Sequence, residues 1–249
     1  MRVFAVIPAR YDSSRFPGKA LADKTGKYLI QHVYEQVTQA RLISEVVIAT
    51  DDQRIFDACG EFGARCFMTR GDHVSGTDRV AEVAGQLAGD IIVNVQGDEP
   101  EVDPAHIDAA VELLRRDDAA GMATLAGPLT DTSDIDNPNI VKVVIDCRGH
   151  ALYFSRWPIP YRRDPDSGQA GPYRRHIGLY AYRPDVLVRL SRFEPTPLER
   201  SESLEQLRAL ENGIVIAVAD MKGVAAVGID TPRQYEAFVR RLLQKGAGF

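Results

Sequence analysis

The sequence predicts an α/β fold built on a parallel sheet, and two features of its first half lead to that prediction. Short, nearly continuous apolar runs occur at residues 3–7, 46–50 and 90–95, as expected of strands that are buried on both faces. Longer segments with helical patterns lie between these runs. Alternation of this kind places parallel strands side by side and helices on the faces of the sheet.

The helices of the first half follow its strands in order. Residues 28–40 (YLIQHVYEQVTQA) repeat apolar side chains every three or four positions, which predicts the first helix. Further helices are predicted after TDD at 50–52 and after SGTDR at 75–79. Another opens at 103–104, where Asp can cap the free amides and Pro is tolerated in the first turn.

From about residue 121 the apolar runs lie closer together, which predicts more strands and some antiparallel pairing. A helix ended by Gly213 is predicted for LERSESLEQLRALENG, and the last helix begins at Thr231. The loop 162–171, rich in Gly, Pro, Asp and Ser, is the best candidate for a mobile segment. We interpret 1–249 as one compact domain with an elaborated second half. The strands predicted for that half are MATLA, IVKVVID, ALYFS, HIGLYAY and IVIAVAD.

Composition excludes several classes of function. The net charge of −5 gives the chain no general attraction to nucleic acid or anionic membrane, so affinity for an anion must come from a local cluster. The three cysteines form no CxxC motif, which argues against a disulfide framework and a thiolate zinc site. The N-terminal apolar run breaks at Pro8, and no segment approaches the roughly 18 apolar residues of a membrane helix. We therefore expect a cytoplasmic protein without a signal peptide.

A local basic cluster lies in IPARYDSSRFPGKAL, residues 7–21, directly after the first strand. It carries Arg10, Arg15 and Lys19, and Gly18 would let the backbone approach a phosphate closely. Ligands of open α/β sheets bind at this carboxyl edge. The loop matches neither the Walker A nor the GxGxxG pattern. Composition alone leaves two interpretations open, a phosphate-binding loop and a solvated basic loop.

Acidic residues follow the 90–95 strand in NVQGDEP. Asp98 and Glu99 would face the basic loop at the same sheet edge, an arrangement that suits Mg²⁺ bridging to phosphates. The alternative is an ordinary turn, since Gly-Asp pairs are common in turns.

Four further motifs admit both a functional and a structural interpretation. Asp230 could bind metal or cap the last helix, and SGTDR at 75–79 could bind a nucleoside or cap its helix. His176 and Tyr180 would share one face of a strand. Residues 205–206 lie away from the leucine stripe of their helix and read as a polar face.

Taken together and in this order, the motifs resemble those of CMP-Kdo synthetases, the 3-deoxy-manno-octulosonate (Kdo) cytidylyltransferases. The resemblance implies a three-layer, Rossmann-like nucleotidyltransferase fold with a mainly parallel, mixed sheet. It also implies that Kdo and CTP give CMP-Kdo and pyrophosphate for lipopolysaccharide biosynthesis, with Mg²⁺ required, in a homodimer formed by the second half. The blocks that carry it are IPARYDSSRFPGKAL, VVIATDD, SGTDRVAEV, IIVNVQGDEP, NPNIVKVV, ALYFSR, RHIGLYAYR, LEQLRAL and GIDTP.

The resemblance also implies roles for individual residues. Roughly, 1–120 would bind CTP and 121–249 the sugar acid. The CTP phosphates would contact Arg10, Arg15 and Lys19. Ser75, Thr77 and Arg79 would lie beside the cytidine, and Asp98 and Asp230 would hold Mg²⁺. The residues implied for catalysis are Arg15, Lys19 and Asp98, and those implied for the Kdo site are Gln96, Arg156, His176, Tyr180, Glu205 and Gln206.

One position departs from the family, since Tyr28 stands where Pro is usual, and this affects only the entry of a helix. Two alternatives remain at this point. The acceptor could be a related sugar acid, either a sialic acid or an amino-substituted Kdo. Alternatively, the chain could be a nucleotide-binding protein without turnover.

Overall fold

The computed structural model divides the chain into two compact units. The first comprises Met1–Asp108 and Ala226–Phe249, and the second comprises Ala109–Ala225. The C-terminal helix therefore belongs to the same unit as the first part of the sequence. The residues that the structure describes are 1–129, 131–164, 173–221 and 228–246.

The first unit contains four strands in its described residues, all paired in parallel. In space β2 and β4 flank β1, and β3 pairs with the other side of β2. This confirms the parallel sheet predicted from the alternating apolar runs. The strands are β1 (Val3–Ala9), β2 (Glu45–Thr50), β3 (Arg65–Met68) and β4 (Ile91–Asn94). The helices are α1 (Leu29–Val37), α2 (Gln53–Glu61), α3 (Gly76–Ala84) and α4 (Pro104–Arg116), the last of which crosses the sequence boundary of the unit.

The second unit combines parallel and antiparallel pairs. Strand β5 (Met122–Pro128) lies between β8 (Arg174–Tyr182), to which it is antiparallel, and β9 (Ile216–Asp220), to which it is parallel. Strand β6 (Lys142–Ile145) pairs antiparallel with β7 (Ala151–Ser155) and briefly with β8. The predicted strands of the second half and their partly antiparallel pairing are therefore confirmed.

The helices of the second unit correct one prediction. LERSESLEQLRALENG forms two short helices rather than one, because Ser203 adopts a left-handed backbone conformation with φ of 52°. Hydrophobic spacing could not reveal a single residue in that conformation. The helices are α5 (Thr132–Ile135), α6 (Pro184–Leu190), α7 (Pro197–Glu202) and α8 (Gln206–Glu211).

The C-terminal helix, α9 (Pro232–Gly246), packs against the first unit and begins where the sequence predicts. Leu29 of α1 is buried in one cluster with Ile229, Tyr235 and Phe238. This cluster fixes the segment immediately before α9 beside the loop that follows β1.

A reciprocal cap starts α9. The Gln234 side-chain oxygen accepts hydrogen bonds from the backbone N–H groups of Asp230 and Thr231, each at 2.9 Å. In return, Thr231 Oγ1 accepts from the Gln234 N–H at 3.3 Å. The cap therefore also holds the backbone of Asp230.

No helix in the described part of the chain is long and apolar enough to cross a membrane. Most of the loop 162–171 lies outside the described residues, so its predicted mobility stays a prediction.

Candidate active site

The acidic and basic motifs of the first unit meet at one point. The Lys19 ammonium donates to Asp98 Oδ2 at 2.6 Å, to Asp230 Oδ1 at 3.0 Å and to the Ile229 carbonyl at 3.1 Å. Asp98 follows β4, Lys19 follows β1, and Asp230 precedes α9. The fold thus brings together two carboxylates that lie far apart in the sequence.

Arg15 extends this cluster towards solvent. Its guanidinium lies 2.9 Å from Asp230 Oδ2, and its side chain is 65% exposed, against 17% for Lys19. Arg10 is also exposed. The basic loop therefore presents two accessible guanidinium groups, while its lysine is anchored on carboxylates.

The shape of the basic loop depends on a contact that the sequence reasoning missed. Gly18 has a φ of +69° and donates its N–H to the Tyr11 carbonyl at 2.9 Å. A Cβ atom at this position would lie only 3.1 Å from the Tyr11 ring. Arg54 stacks its guanidinium 3.3 Å from the centre of the same ring, and this guanidinium is held by the two hydrogen bonds that it donates to the Asp52 carboxylate. Tyr11 lies two positions after β1, and nothing in the sequence pattern indicates this role.

The NVQGDEP segment packs closely against the end of β1. A Cβ on Gly97 would lie 2.5 Å from the Pro8 carbonyl oxygen, so only glycine fits. Gln96 is half-buried beside it. Burial and the neighbouring Asp98 charge raise the pKa of Glu99 to about 8. Glu99 is therefore mainly protonated at pH 7 when no cation is bound beside it.

The residues around Lys19 fit a hard divalent cation in part. Asp98, Asp230 and the Ile229 carbonyl offer oxygen donors, and Mg²⁺ is commonly held by one or two carboxylates together with water and phosphate oxygens. Within the described residues, no group of three or more His, Cys, Asp or Glu side chains is arranged to hold a metal. The donor set therefore suits an ion that phosphates help to bind.

The SGTDR motif caps a helix. Ser75 Oγ accepts from the Asp78 N–H at 3.2 Å, and the Ser75 N–H donates to Asp78 Oδ2 at 3.1 Å. Arg79 is buried and donates to Asp51 Oδ2 at 2.8 Å and to the Thr69 hydroxyl. The structural interpretation therefore holds for Ser75, and the Arg79 guanidinium is already engaged by protein groups.

The same motif nevertheless lies at the sheet edge where the basic loop begins. A Cβ on Gly76 would contact the Pro8 ring at 3.4 Å, so the start of α3 packs against the end of β1. Thr77 is half-buried next to it.

In the second unit, His176 and Tyr180 do share one face of β8. Their rings are 5.4 Å apart, and the His176 ring also contacts Phe154 at 5.0 Å. His176 Nε2 lies 3.0 Å from Thr124 Oγ1, whose hydroxyl hydrogen can serve the nearby backbone carbonyls. Burial lowers the pKa of His176 to about 3, so the ring is neutral at physiological pH.

Arg156 follows β7 and is held by backbone carbonyls. Its guanidinium donates to the carbonyls of Glu202 at 2.7 Å, Pro138 at 2.9 Å and Ser203 at 3.3 Å. These bonds use three of the five N–H donors of the guanidinium. The other two N–H donors have no partner among the described residues, so this fixed guanidinium can still meet a ligand carboxylate.

Gln206 corrects a sequence-based interpretation. The leucine spacing placed residues 205–206 on a polar face, yet Gln206 is buried, whereas Glu205 is exposed at the start of α8. Gln206 Nε2 has no hydrogen-bond partner among the described residues. A buried amide group without a protein partner is rare in native structures and indicates a water or ligand position.

Comparisons with known proteins agree with this description. The cytidylyltransferase family profile matches residues 4–219. The 3-deoxy-manno-octulosonate cytidylyltransferase of Geobacter sulfurreducens is 50% identical over 251 residues, covering 97% of this chain and 100% of that protein. The enzyme of the same name from Pseudomonas syringae pv. syringae is 54% identical, covering 96% and 97%.

Solved structures confirm the fold. A CMP:2-keto-3-deoxy-manno-octonic acid synthetase complexed with CTP superposes with a TM-score of 0.91 at 44% identity, covering 98% of this chain and 100% of that one. A nucleotidyl transferase from Methanothermobacter thermautotrophicus, at 16% identity and a TM-score of 0.63, shares the fold alone. The predicted α/β nucleotidyltransferase fold with a mainly parallel, mixed sheet is therefore confirmed.

Proposed function

Because the chain belongs to the family of 3-deoxy-manno-octulosonate cytidylyltransferases, we propose that it couples Kdo to CTP and releases CMP-Kdo and pyrophosphate. This nucleotidyl transfer would supply activated Kdo for lipopolysaccharide biosynthesis. One structural observation supports the proposal independently of sequence similarity. Four charged side chains contact one another at the carboxyl edge of the first unit's sheet, namely Arg15, Lys19, Asp98 and Asp230.

The basic loop is the proposed site of the triphosphate. In this reaction a Kdo hydroxyl attacks the α-phosphate of CTP in line, and charge builds up on the departing pyrophosphate. Such a transfer depends on positioning and on neutralising charge more than on covalent catalysis. Arg10 and Arg15 are exposed and can grip phosphate oxygens, and Arg15 and Lys19 would stabilise the leaving group.

We propose Mg²⁺ as the cofactor, with Asp98 and Asp230 as its protein ligands. When bound, the ion would supply positive charge to the phosphate oxygens. Lys19 bridges both carboxylates in this structure, so CTP binding would require it to exchange carboxylate oxygens for phosphate oxygens. Lys19 and Arg15 together would thereby balance the charge of the two neighbouring carboxylates until the substrate arrives.

The second unit provides the proposed sugar-acid groups. The two remaining N–H donors of Arg156 can bind the Kdo carboxylate in bidentate fashion. Gln206 offers a buried amide donor, and neutral His176 and Tyr180 offer polar atoms that suit sugar hydroxyls. The family resemblance adds Glu205 to this proposed set, and also Gln96, which belongs to the first unit.

The cytidine is assigned to the SGTDR region. We assign the direct contact with the cytidine to the Thr77 side chain, because Ser75 caps the helix and Arg79 is paired with Asp51. Ser75 and Arg79 would then shape the nucleoside position through the start of α3.

Assembly and location follow from the family resemblance. We propose that the protein acts in the cytoplasm as a homodimer formed by the second half. Light scattering coupled to size exclusion should give a mass of twice the 27.5 kDa of one chain. A mass equal to one chain at micromolar concentration would contradict the dimer.

The function is tested by pyrophosphate release from CTP, Kdo and Mg²⁺. Release above a control without Kdo is expected, and its absence would overturn the proposal. Rates with a sialic acid and an amino-substituted Kdo, measured side by side, decide the acceptor. Calorimetry that shows CTP binding without any release would favour a non-catalytic nucleotide-binding protein.

A further inference from the structure

Lys142 is a buried cation in the second unit whose role the reaction does not explain. Its side chain is completely buried at the start of β6. The ammonium donates to the carbonyl oxygens of Arg156 at 2.5 Å, Ile140 at 2.7 Å and Asn137 at 3.1 Å. An ammonium has three N–H donors, so backbone carbonyls use all of them.

The three carbonyls belong to two segments that Lys142 ties together. One is the loop 137–140, and the other is the chain directly after β7, where Arg156 lies. The Arg156 guanidinium itself binds the Pro138 carbonyl of that same loop at 2.9 Å. Lys142 therefore fixes both the backbone of Arg156 and one of the three acceptors that orient its guanidinium.

A second anchor acts on the same backbone. The Glu202 carboxylate accepts from the Arg156 N–H at 2.9 Å and from the Ser155 hydroxyl at 2.6 Å. Arg156 is therefore held at three places. It directly follows β7 in the chain, and its guanidinium binds the Glu202 and Ser203 carbonyls at the end of α7. The same guanidinium also binds the Pro138 carbonyl of the 137–140 loop. Lys142 acts on two of these supports, since it binds the Arg156 carbonyl directly after β7 and two carbonyls of the 137–140 loop.

We propose that Lys142 is a positioning residue that presets the Arg156 guanidinium for the carboxylate of the sugar acid. The inference rests on the proposed function, since Arg156 is assigned to that carboxylate there. A guanidinium that is ordered before binding loses less conformational freedom when the ligand arrives, so preorganisation raises affinity. Removing the ammonium frees the 137–140 loop and with it the Pro138 carbonyl.

The test compares Lys142→Met and Lys142→Gln with Lys27→Met, which removes an exposed lysine of the first unit. We expect Lys142→Met to raise the KM for Kdo by roughly tenfold or more, by analogy with the loss of residues that orient metal ligands. The KM for CTP should stay within about twofold of wild type, as should both constants in the control. Lys142→Gln retains two N–H donors and should give an intermediate KM for Kdo.

A second measurement separates positioning from general loss of structure. The Arg156 Nε–H signal, identified by its absence in Arg156→Lys, should shift or broaden in the ¹⁵N spectrum of Lys142→Met. An unchanged signal together with an unchanged KM for Kdo in a folded Lys142 variant would overturn the proposal. Equal rises in both KM values, or failure of both variants to fold, would also overturn it and leave Lys142 a purely structural residue.

The two proposals fail differently. If the wild-type protein releases no pyrophosphate with Kdo, the proposed function is wrong. The NMR comparison still shows whether Lys142 sets the Arg156 guanidinium.

Discussion

At the scale of single residues, Lys19 holds the acidic side of the proposed phosphate site together. Asp98 and Asp230 both approach its ammonium, and without a cation between them the two carboxylates would repel each other. Lys19 is 17% exposed, so these ion pairs are screened less than surface pairs. Lys19 therefore has an electrostatic role here that the proposed divalent cation would share.

We expect Asp98→Asn to lower kcat by at least about 100-fold, the cost of losing one essential electrostatic group in an active site. The amide keeps the shape of the side chain but removes the charge that binds Lys19 and, by our proposal, Mg²⁺. Steady-state pyrophosphate release at saturating substrates measures the effect.

The matched control is Asp103→Asn, which removes a carboxylate charge five residues further along the chain. Asp103 caps α4 by accepting from the Ala105 N–H at 2.8 Å, and Asn caps a helix equally well. Near-normal kcat in Asp98→Asn, or an equal loss in Asp103→Asn, would refute the role of Asp98.

His176 should make the folded state sensitive to acid. Its folded pKa of about 3 lies below the ordinary value of 6.5, so the unfolded chain binds a proton first as the pH falls. The contribution of the neutral ring is complete above pH 6.5 and is lost progressively as the pH falls towards 3, by about 1.4 kcal/mol per pH unit. Denaturant unfolding at pH 7 and pH 5 measures this dependence.

His176→Gln removes the titrating group and keeps a donor for Thr124. The loss of unfolding free energy between pH 7 and pH 5 should then be smaller than in wild type by about 2 kcal/mol. Identical pH dependence in the two proteins would show that His176 is not a buried neutral ring.

At the scale of elements, Ser203 determines the geometry between α7 and α8. A non-glycine residue in the left-handed region is strained, and Ser203 is exposed. We therefore expect Ser203→Gly to raise the free energy of unfolding by about 0.5–1 kcal/mol. Chemical denaturation measures the change.

Ser201→Gly is the comparison for this substitution, since Ser201 is exposed within α7. Glycine has a lower helix propensity than serine, so this substitution should lower the free energy of unfolding by about 0.5 kcal/mol. Two substitutions of the same chemistry should thus have opposite signs. Destabilisation by both would mean that the conformation of Ser203 costs nothing.

The elements differ in how far the sequence predicts them. Nearly continuous apolar runs identified β1, β2 and β4 because those strands are buried on both faces. Strand β3 was missed because it is only four residues long and none of its side chains is fully buried. Helix α6 was also missed, although Pro184 at its start is a recognisable signal.

The candidate site also has features that the sequence predicts and features that it does not. Polar motifs at strand ends predicted that Asp98 and Lys19 would lie at one sheet edge, because parallel strands end there together. The contacts that hold the site residues in place could not be predicted. Arg54 stacks on Tyr11 beside the basic loop, and Lys142 binds the Arg156 carbonyl. Both contacts join separate segments of the chain. Hydrophobic periodicity carries no information about such contacts.

At the scale of the whole molecule, we assign the charged groups of each compact unit to one substrate. Arg15 and Lys19 belong to the first unit and are assigned to CTP, whereas Arg156 belongs to the second unit and is assigned to the Kdo carboxylate. The net charge of −5 gives neither anion a general attraction to the protein. Recognition of both substrates must therefore come from these local groups.

This division of roles makes a reciprocal prediction about substrate affinity. We expect Arg15→Ala to raise the KM for CTP by roughly 10- to 100-fold, since a hydrogen bond to a charged group contributes about 1.5–3 kcal/mol. Arg156→Ala should raise the KM for Kdo by a similar factor. Each variant should leave the KM for the other substrate within about threefold of wild type, because its guanidinium contacts one substrate only. Varying CTP at saturating Kdo, and Kdo at saturating CTP, gives the four constants. If either substitution raised both KM values equally, the assignment of one substrate to each unit would be wrong.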